Sequence, residues 1–314
     1  MEFLLLLALP LLGFVFAGSD GSENNEEPDE RGDTLSGDDG RDSLIATYRA
    51  DLMLGYGGDD TLVGNAGNDT IRGGFGNDIA DGGADDDYIN GGAGDDTVLG
   101  LTGDDTLIGG RDNDFVLGEA GNDEISLGEG NDINWTDREV WQTGFENGQL
   151  GDDTVSGEAG NDSIWDYSGA NTLDGGDGDD AISATDNQLD GWETAAQASD
   201  QISGGSGDDF LIGDDGDTLI GGAGNDHIVS IHERDDAEAI VISDFDGSED
   251  RLELDVYQSF ADLSQWALFS RTDDESGTVT VGLENNTDPE QIIELAHLTA
   301  ATNFALSQVT LHQI

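Results

Sequence analysis

Apolar side chains recur at every ninth position along the first half of this sequence. Within each unit of nine, a short x-apolar-x segment predicts a minimal strand with one inward side chain. The other six residues are rich in Gly, Asn and Asp, which tolerate positive φ and predict a tight looping turn. Stacked units would line up their apolar side chains along one axis. The series runs through Leu35, Leu44, Met53, Leu62, Ile71, Ala80, Ile89, Val98, Leu107, Val116 and Ile125, and breaks at Asn134.

An Asp stands two residues before each of these apolar positions. Glycine begins most units, and a second glycine usually precedes the Asp by two, with Asn or Asp between them. The nine-residue phase is lost after Asp132 and returns twice, with one spacing of eight before Asp217. The Asp phase comprises Asp33, Asp42, Asp51, Asp60, Asp69, Asp78, Asp87, Asp96, Asp105, Asp114, Asp123 and Asp132, then Asp153, Asp162, Asn171 and Asp180, then Asp200, Asp209, Asp217 and Asp226.

The charge and the cysteine content of the chain limit the classes of partner that it can bind. The 314 residues carry 71 acidic against 9 basic side chains, a formal charge of −62, which disfavours nucleic acid and anionic membranes as partners. Such an acidic chain is ordinarily disordered, but a disordered tract has no reason to keep an aliphatic residue at one phase. There is no cysteine, which excludes disulfides and thiolate zinc sites. Divalent cations are therefore the expected partners of so many carboxylates.

The units Gly91–Leu99 and Gly221–Val229 resemble the haemolysin-type nonapeptide of repeats-in-toxin (RTX) proteins, and the resemblance extends over roughly residues 28–229. It implies an all-β fold, a parallel β-roll (a β-solenoid) with two nonapeptides per coil, and a small β-rich C-terminal cap. It also implies several Ca²⁺ ions between turns of adjacent coils, bound by Asp carboxylates and by carbonyl groups of the glycine turns. Oxygen-only donors independently suit Ca²⁺. We expect such a protein to fold outside the cell, on binding calcium.

Some units depart from the repeat. Arg31 and Arg49 replace the second glycine in early units, which predicts weak or absent sites there. Asp85 and Asp112 replace it later, and Asn171 removes one carboxylate. The resemblance implies metal binding by Asp42, Asp60, Asp69, Asp78, Asp87, Asp96, Asp105, Asp114, Asp123, Asp132, Asp153, Asp162, Asp180, Asp209 and Asp226, and by Gly58, Gly67, Gly73, Gly74, Gly76, Gly91, Gly92, Gly94, Gly204, Gly205, Gly207, Gly221, Gly222 and Gly224.

The two ends of the chain differ from the repeats. Residues 3–17 are apolar and predict a cleaved signal or a short membrane anchor, with a buried helix as a third reading. Glu2 stands where a signal would carry Lys or Arg. The predicted organisation is an apolar segment at 1–17, an acidic linker at 18–27, repeat blocks at 28–135, 151–183 and 198–229, insertions at 136–150 and 184–197, and a C-terminal cap at 230–314.

The C-terminal segment has lost the glycine rhythm. Residues 241–254 predict a strand, a turn and a second strand, and 278–283 and 291–295 alternate in the same way. Phe260, Trp266, Phe269 and Phe304 are expected to form a small core. The Asp-Phe-x-Gly-x-x-Asp-x-Leu-x-Leu pattern of residues 244–254 resembles the C-terminal region of RTX proteins exported by type I secretion. Polysaccharide or a cell surface is a candidate partner, and any membrane contact would involve residues 3–17.

Catalytic signals are weak, and we predict no catalytic residue and no organic cofactor. His232-Glu233 begins like a zinc-protease helix, but Asp236 stands where the second His is needed. Only about 27 residues precede the repeats, too few for a catalytic domain.

The tryptophans in or near the insertions are expected either to pack over the roll or to stack on carbohydrate. Two classes remain: a secreted, non-enzymatic calcium-binding protein of a surface or matrix, or an exported calcium-dependent enzyme acting on polysaccharide from the insertions or cap. The tryptophans are Trp135, Trp141, Trp165 and Trp192.

Overall fold

The computed structural model describes most of the repeat region and much of the C-terminal segment. The N-terminal apolar segment and the predicted linker lie outside the described residues, as do Trp141, Trp192 and Phe260. Among the described residues there is no helix whose length and apolar character would let it cross a bilayer. The described residues are 32–136, 151–166, 169–185, 199–232, 239–256, 266–273, 276–286, 292–301 and 303–313.

Two parallel sheets face each other, because successive strands alternate between them. This arrangement confirms the predicted parallel β-roll. One sheet has 14 strands in the order β1-β3-β5-β7-β9-β11-β13-β15-β17-β19-β21-β25-β24-β23, and the other has 12 in the order β2-β4-β6-β8-β10-β12-β14-β16-β18-β20-β22-β26. The strands are β1 (Thr34–Ser36), β2 (Ser43–Ile45), β3 (Leu52–Gly57), β4 (Thr61–Ala66), β5 (Thr70–Phe75), β6 (Ile79–Ala84), β7 (Tyr88–Ala93), β8 (Thr97–Thr102), β9 (Thr106–Arg111), β10 (Phe115–Ala120), β11 (Glu124–Glu129), β12 (Ile133–Trp135), β13 (Thr154–Ala159), β14 (Ser163–Asp166), β15 (Thr172–Asp177), β16 (Ala181–Ala184), β17 (Gln201–Ser206), β18 (Phe210–Gly213), β19 (Thr218–Ala223), β20 (His227–His232), β21 (Ile240–Ile242), β22 (Arg251–Val256), β23 (Trp266–Thr272), β24 (Val279–Asn285), β25 (Ile292–Leu298) and β26 (Val309–Gln313).

One coil of the roll is two nonapeptides, so each strand pairs with the strand 18 residues further on. Met53 of β3 is in register with Ile71 of β5, and Leu62 of β4 with Ala80 of β6. The repeating apolar residues of both sheets point inward and form one continuous core, as the nine-residue phase predicts. Asn134 breaks the apolar series but is also buried, and its Nδ2 donates a hydrogen bond to the carbonyl of Val116 at 3.2 Å. That bond satisfies the amide inside the core.

The strands are longer than the sequence predicts. Most span six residues rather than three, so that β4 continues from Thr61 through Gly64 to Ala66. The prediction of a six-residue turn was therefore wrong. The residues that follow the first glycine of each unit also pair in the parallel ladder. Tyr56, for example, pairs with Gly74 of the next coil. Pairing extends this far because a stacked neighbour one coil away satisfies backbone groups that an isolated turn would leave exposed.

Positive φ is required at two places in each unit. The second residue has φ of 121° at Gly92 but 77° at Asn65, and the fourth has 124° at Gly94 but 76° at Asp85. Asp112 adopts a φ of 73° at the same fourth position. The two departures from the second glycine are tolerated, because Asp enters the left-handed region more readily than most side chains.

The two interruptions of the repeat leave the coils in register. The β11–β13 and β12–β14 pairs are joined across the first insertion, and β15–β17 and β16–β18 across the second. The N–H of Asp123 donates to Oδ1 of Asp153 at 2.8 Å over 30 residues instead of 18, so the contact between coils is kept across the insertion. Residues 137–150 and 186–198 lie outside the described residues. Ala184, predicted to open the second insertion, is a buried residue of β16.

The roll does not stop with the glycine rhythm. The strand-turn-strand predicted at 241–254 is β21 followed by β22, and these add one strand to each parallel sheet. Strands β25 and β26 add another, and the antiparallel strands β24 and β23 complete the cap. Phe245, rather than the predicted aromatic group, is the largest fully buried side chain here, and Phe304 packs edge-on against it at 6.0 Å. Trp266 packs against the core only partly buried.

Candidate metal centre

From Asp51 to Asp226, each repeat aspartate accepts a hydrogen bond from the backbone of the neighbouring coil through one carboxylate oxygen. The backbone N–H of Asp78 donates to Oδ1 of Asp96 at 2.7 Å, and that of Asp96 donates to Oδ1 of Asp114 at 2.8 Å. The same bond repeats through the roll and crosses both insertions, as from Asp180 to Asp209 at 2.8 Å. Oδ1 therefore fixes the rotamer of every aspartate in the row and leaves Oδ2 pointing in one repeated direction.

In thirteen of the described repeat aspartates the second carboxylate oxygen is buried and accepts no hydrogen bond. The side chains of these residues are almost fully inaccessible, with Asp96 only 2% exposed. A buried carboxylate oxygen without a donor is costly, because it loses its hydration and gains nothing in return. Such a row identifies groups that await a cation. The unpartnered atoms are Oδ2 of Asp60, Asp69, Asp78, Asp87, Asp96, Asp105, Asp114, Asp132, Asp153, Asp162, Asp180, Asp209 and Asp226.

Backbone carbonyls converge on these oxygens at the first glycine of each unit. A methyl group added to Gly91 would lie 2.7 Å from Oδ2 of Asp96 and 2.8 Å from the carbonyl oxygen of Gly109, one coil away. At Gly109 it would lie 2.7 Å from Oδ2 of Asp114 and 2.5 Å from the carbonyl of Leu127. Each first glycine thus keeps open a small space lined by a carboxylate oxygen and by a carbonyl of the next coil.

Burial perturbs the carboxylates strongly. It raises the pKa of Asp114 to about 8, against a lowering effect of the Asp96 N–H bond, and nearby carboxylates raise it further. Burial likewise raises the pKa of Asp96 and Asp153 to about 7, and that of Asp69 to about 6. The folded chain alone therefore disfavours the charged form of these side chains at neutral pH. A bound cation would remove that penalty.

The donor set fits calcium. Carboxylate and carbonyl oxygens are the ligands that Ca²⁺ prefers, and their repeated stacking leaves room for flexible coordination. When bound, calcium would supply positive charge between turns that present carboxylate and carbonyl oxygens. The residues hold their oxygens in place beforehand, through the Oδ1 bonds and the glycine backbone. An imidazole or thiolate donor is not needed in this geometry.

The structure places the predicted site residues at equivalent points of successive turns. The predicted aspartates from 60 to 226 share the Oδ1 bond to the preceding coil, whereas Oδ2 of Asp42 accepts the N–H of Asp38 at 2.7 Å. Gly73, Gly91, Gly204 and Gly221 are first glycines beside an Oδ2. The other predicted glycines have positive φ at the second or fourth position: Gly58, Gly67, Gly74, Gly76, Gly92, Gly94, Gly205, Gly207, Gly222 and Gly224. First glycines with the same environment that sequence reasoning passed over are Gly55, Gly64, Gly82, Gly100, Gly109, Gly118, Gly157 and Gly175, all found at the unit start.

The degenerate units keep the hydrogen bond but change the second oxygen. Asn171 accepts the N–H of Asp153 at 2.5 Å through Oδ1, so the coil contact survives without the carboxylate. Oδ2 of Asp51 accepts the N–H of Thr47 at 2.7 Å. Oδ2 of Asp217, which follows the spacing of eight, accepts the N–H of Asp214 at 2.8 Å. These positions support the roll while offering less to a cation.

A second row of side chains runs along the exposed edges and was not foreseen from the sequence. Oδ1 of the residue before each repeat aspartate accepts the N–H of its equivalent one coil further on, as Asp95 does from Asn113 at 3.0 Å. Asn113 in turn accepts from Asn131 at 3.0 Å. The Asp-or-Asn choice at this position is its only signal in the sequence. Asn makes the same bond without charge and so relieves repulsion between stacked carboxylates.

At the end of the repeats, three polar side chains form a buried chain of hydrogen bonds. Oγ of Ser230 lies 2.7 Å from Nε2 of His232, whose Nδ1 lies 2.6 Å from Oδ1 of Asp215. The combination is that of a nucleophile, base and orienting acid. However, Ser230 is 0% and His232 2% exposed, so a substrate has no approach to this hydroxyl. The chain satisfies polar groups in the interior.

Comparison with known proteins agrees with this geometry. The family model described as RTX calcium-binding nonapeptide repeat (4 copies) matches more than half of the chain. None of the curated proteins compared with the chain matches it. The overlapping matches cover residues 29–62, 36–71, 45–80, 63–98, 72–107, 99–133, 147–182 and 195–228.

Proposed function

Because the chain belongs to the family of RTX calcium-binding nonapeptide repeat proteins and binds Ca²⁺, we propose that it is a secreted protein that folds on binding extracellular calcium. It acts without catalysis at a surface or in a matrix. The family supports secretion, and the absence of cysteine suits a protein stabilised outside the cell by ions instead of disulfides.

The row of buried Oδ2 atoms carries the proposal. Thirteen such atoms without a hydrogen bond are an intolerable number of orphaned acceptors for a metal-free fold. Extracellular calcium modules have affinities of ~10⁻⁴–10⁻³ M, so the sites would stay empty in cytosol and fill outside. Since each coil hydrogen-bonds to the next through Oδ1, binding at one turn orders its neighbours. Folding should therefore be cooperative in calcium.

Asp105 and Asp104 are adjacent in the sequence, but only Asp105 is a proposed calcium ligand. Substituting each in turn therefore tests whether the buried carboxylates bind calcium. In Asp105→Asn, the amide oxygen keeps the 2.8 Å bond from the N–H of Asp87, but the buried charge is lost. We expect the calcium midpoint to rise about five-fold or more, the equivalent of ~1 kcal/mol for a charge near a cation. Calorimetric titration and circular dichroism measure the midpoint.

Asp104→Asn is the matched control. Asp104 is exposed, and its Oδ1 accepts the N–H of Asn122 at 2.9 Å, a bond that Asn makes at equivalent positions. Its midpoint should stay within about two-fold of the wild type. Equal midpoints for both variants would count against the assignment of the buried aspartates as ligands.

A second candidate function rests on an aromatic strip outside the roll. Phe115, Trp135 and Trp165 lie on the outer face of neighbouring strands β10, β12 and β14, beside the first insertion. The ring centroids of Phe115 and Trp135 are 5.6 Å apart, and those of Trp135 and Trp165 are 6.2 Å apart. Partly exposed rings in a row suit stacking on sugar faces. This favours polysaccharide as partner, and turnover of it would support the exported-enzyme alternative.

Removing the outermost ring tests the strip. We expect Trp165→Ala to weaken retention on a neutral polysaccharide column about ten-fold, because one stacked ring is worth ~1–3 kcal/mol by analogy with base stacking. Phe75→Ala is the control, since Phe75 is a 73% exposed ring on the other sheet. Release of reducing sugar, measured in parallel, distinguishes binding from turnover. Identical retention of both variants would rule the strip out.

A further inference from the structure

Four titratable side chains meet on the outer face of the last three strands of the 12-stranded sheet. Leu252 and Leu254 of β22 point into the core, so Glu253 and Asp255 point outward. His227 comes from β20 and His312 from β26, on either side of β22. None of these positions belongs to the row of buried calcium-site carboxylates.

The side chains of His312, Glu253 and Asp255 lie close enough together to surround a single ion. Nδ1 of His312 lies 2.6 Å from Oε1 of Glu253 and 3.2 Å from Oδ1 of Asp255. One donor atom from each residue lies within 4.8 Å of the other two. The carboxylates are largely shielded by the sheet, with side-chain exposures of 14% and 19%, whereas the imidazole is 46% exposed.

Glu253 is held from its other side. Nε2 of His227 lies 3.1 Å from Oε2 of Glu253. With that nitrogen as donor, the carboxylate is oriented so that Oε1 faces His312 and Asp255. Partners of this kind behind a ligating carboxylate commonly fix its orientation in metal sites.

We propose that His312 Nδ1, Glu253 Oε1 and Asp255 Oδ1 form a site for a divalent transition metal of the zinc class, separate from the calcium sites. An imidazole nitrogen with two carboxylate oxygens suits zinc better than calcium, which takes oxygen donors. Bonds of about 2.0–2.2 Å place ligands roughly 3.3 Å apart. The 3.2 Å between His312 Nδ1 and Asp255 Oδ1 matches that spacing, whereas the 2.6 Å between His312 Nδ1 and Glu253 Oε1 would have to widen on binding. His227 is a positioning residue, and solvent completes the coordination.

Two positively charged groups compete with a metal ion for these carboxylates: the Arg251 guanidinium and a protonated His312. Nη2 of Arg251 lies 3.4 Å from Oε2 of Glu253, but its side chain is 57% exposed and approaches the oxygen that faces His227. A protonated His312 would also bridge the two carboxylates as an ion pair, with no metal. The measurements must therefore separate a metal from a proton.

The site lies where the nonapeptides have ended. It would fasten β26 to β22 across a register that includes Asp255 and His312 as direct neighbours. The calcium sites stabilise the repeat coils but do not reach β26. A metal bound by His312, Glu253 and Asp255 would stabilise the pairing of that last strand with β22. The proposal rests on the cap and stands whether or not the roll acts as proposed above.

The test is a zinc titration of the full chain kept in excess calcium. We expect one zinc-binding step in the wild type, a roughly 10–100-fold weaker step in His227→Ala, which removes the positioning residue, and a larger loss in His312→Ala, which removes a ligand. Cobalt used in place of zinc should give visible absorption bands in the wild type that His312→Ala lacks. Hydrogen exchange of β26 should slow on addition of zinc.

His297→Ala is the control, because His297 is another cap histidine, 3.4 Å from Glu294 and outside the cluster. Its zinc affinity should match the wild type. If His312→Ala perturbs the calcium-loaded circular dichroism, Asp255→Asn replaces it. Failure of the wild type to bind zinc, equal binding by His312→Ala and the wild type, or zinc uptake only by displacement of calcium would each overturn the proposal.

Discussion

Chelating calcium should convert the roll into a largely disordered chain at neutral pH. The formal charge of −62 then has no counter-charge between the coils, and the buried Oδ2 atoms lose their only candidate partner. One inward apolar residue per nonapeptide, such as Ile89, is little burial to set against that cost. Far-ultraviolet circular dichroism and the melting temperature, followed during titration with chelator, measure the effect. We expect most of the strand signal to disappear.

Two controls distinguish specific binding from charge screening. Magnesium should restore little structure, because it demands near-octahedral geometry and gives up water reluctantly. Sodium chloride at 0.1 M shortens the Debye length to about 10 Å and should restore only part of the signal. A chelated protein that melts at the same temperature as the calcium-loaded one would end the proposal that calcium drives folding.

Acid should have opposite effects on the two forms of the protein. The pKa of Asp87 and Asp209 is raised to about 7 and that of Asp114 to about 8, mainly by burial, above the ordinary value of 3.8. The metal-free fold therefore binds more protons than the unfolded chain between pH 4 and 8, so its stability falls as the pH rises through that window. Calcium competes with those protons, so its affinity should fall as the pH drops below about 7. We expect the metal-free chain to keep more strand signal at pH 5 than at pH 7.5, and the calcium concentration at the folding midpoint to be higher at pH 5 than at pH 7.5.

Asp114→Asn separates this effect from the general loss of surface charge in acid. The amide imitates the protonated carboxyl, and like it carries no charge into the space beside Gly109. At pH 7.5 we expect the variant to keep more strand signal than the wild type without calcium, and to be less stable than the wild type with calcium. Asp104→Asn should change neither form. Destabilisation of Asp114→Asn in both forms would show that the carboxylate is not the group in competition for protons and calcium.

The candidate site was predictable because its signal is local. A nonapeptide brings its own glycine, Asp and apolar residue together, so spacing alone predicts the turn at Gly91 and the inward side chain of Val98. The role of Asp96 as a metal ligand comes from the resemblance to the RTX repeat. The sequence could not predict which oxygen of each carboxylate accepts a hydrogen bond from the neighbouring coil and which is left for a metal ion. Oδ1 of Asp96 is bound by the N–H of Asp78, 18 residues earlier, and that partner exists only once coils are stacked.

The cap and the strand lengths were less predictable for the same reason. β22 has no glycine rhythm, yet it continues the sheet because Leu252 and Leu254 meet a core that the preceding coils supply. His232 looked like the start of a metal-binding helix but is held inside the roll by Asp215, 17 residues away. Neither neighbour is visible from the residues next to these positions.

The sequence by itself determined the period, the inward face of each strand and the oxygen donors, because a nine-residue repeat places these in every unit without reference to the others. Only the tertiary structure decided which carboxylate oxygen is committed to the neighbouring coil, how far the strands extend, and which side chains meet on β20, β22 and β26. These depend on contacts between residues 17 to 57 positions apart, whose geometry is set by the stacking of whole coils.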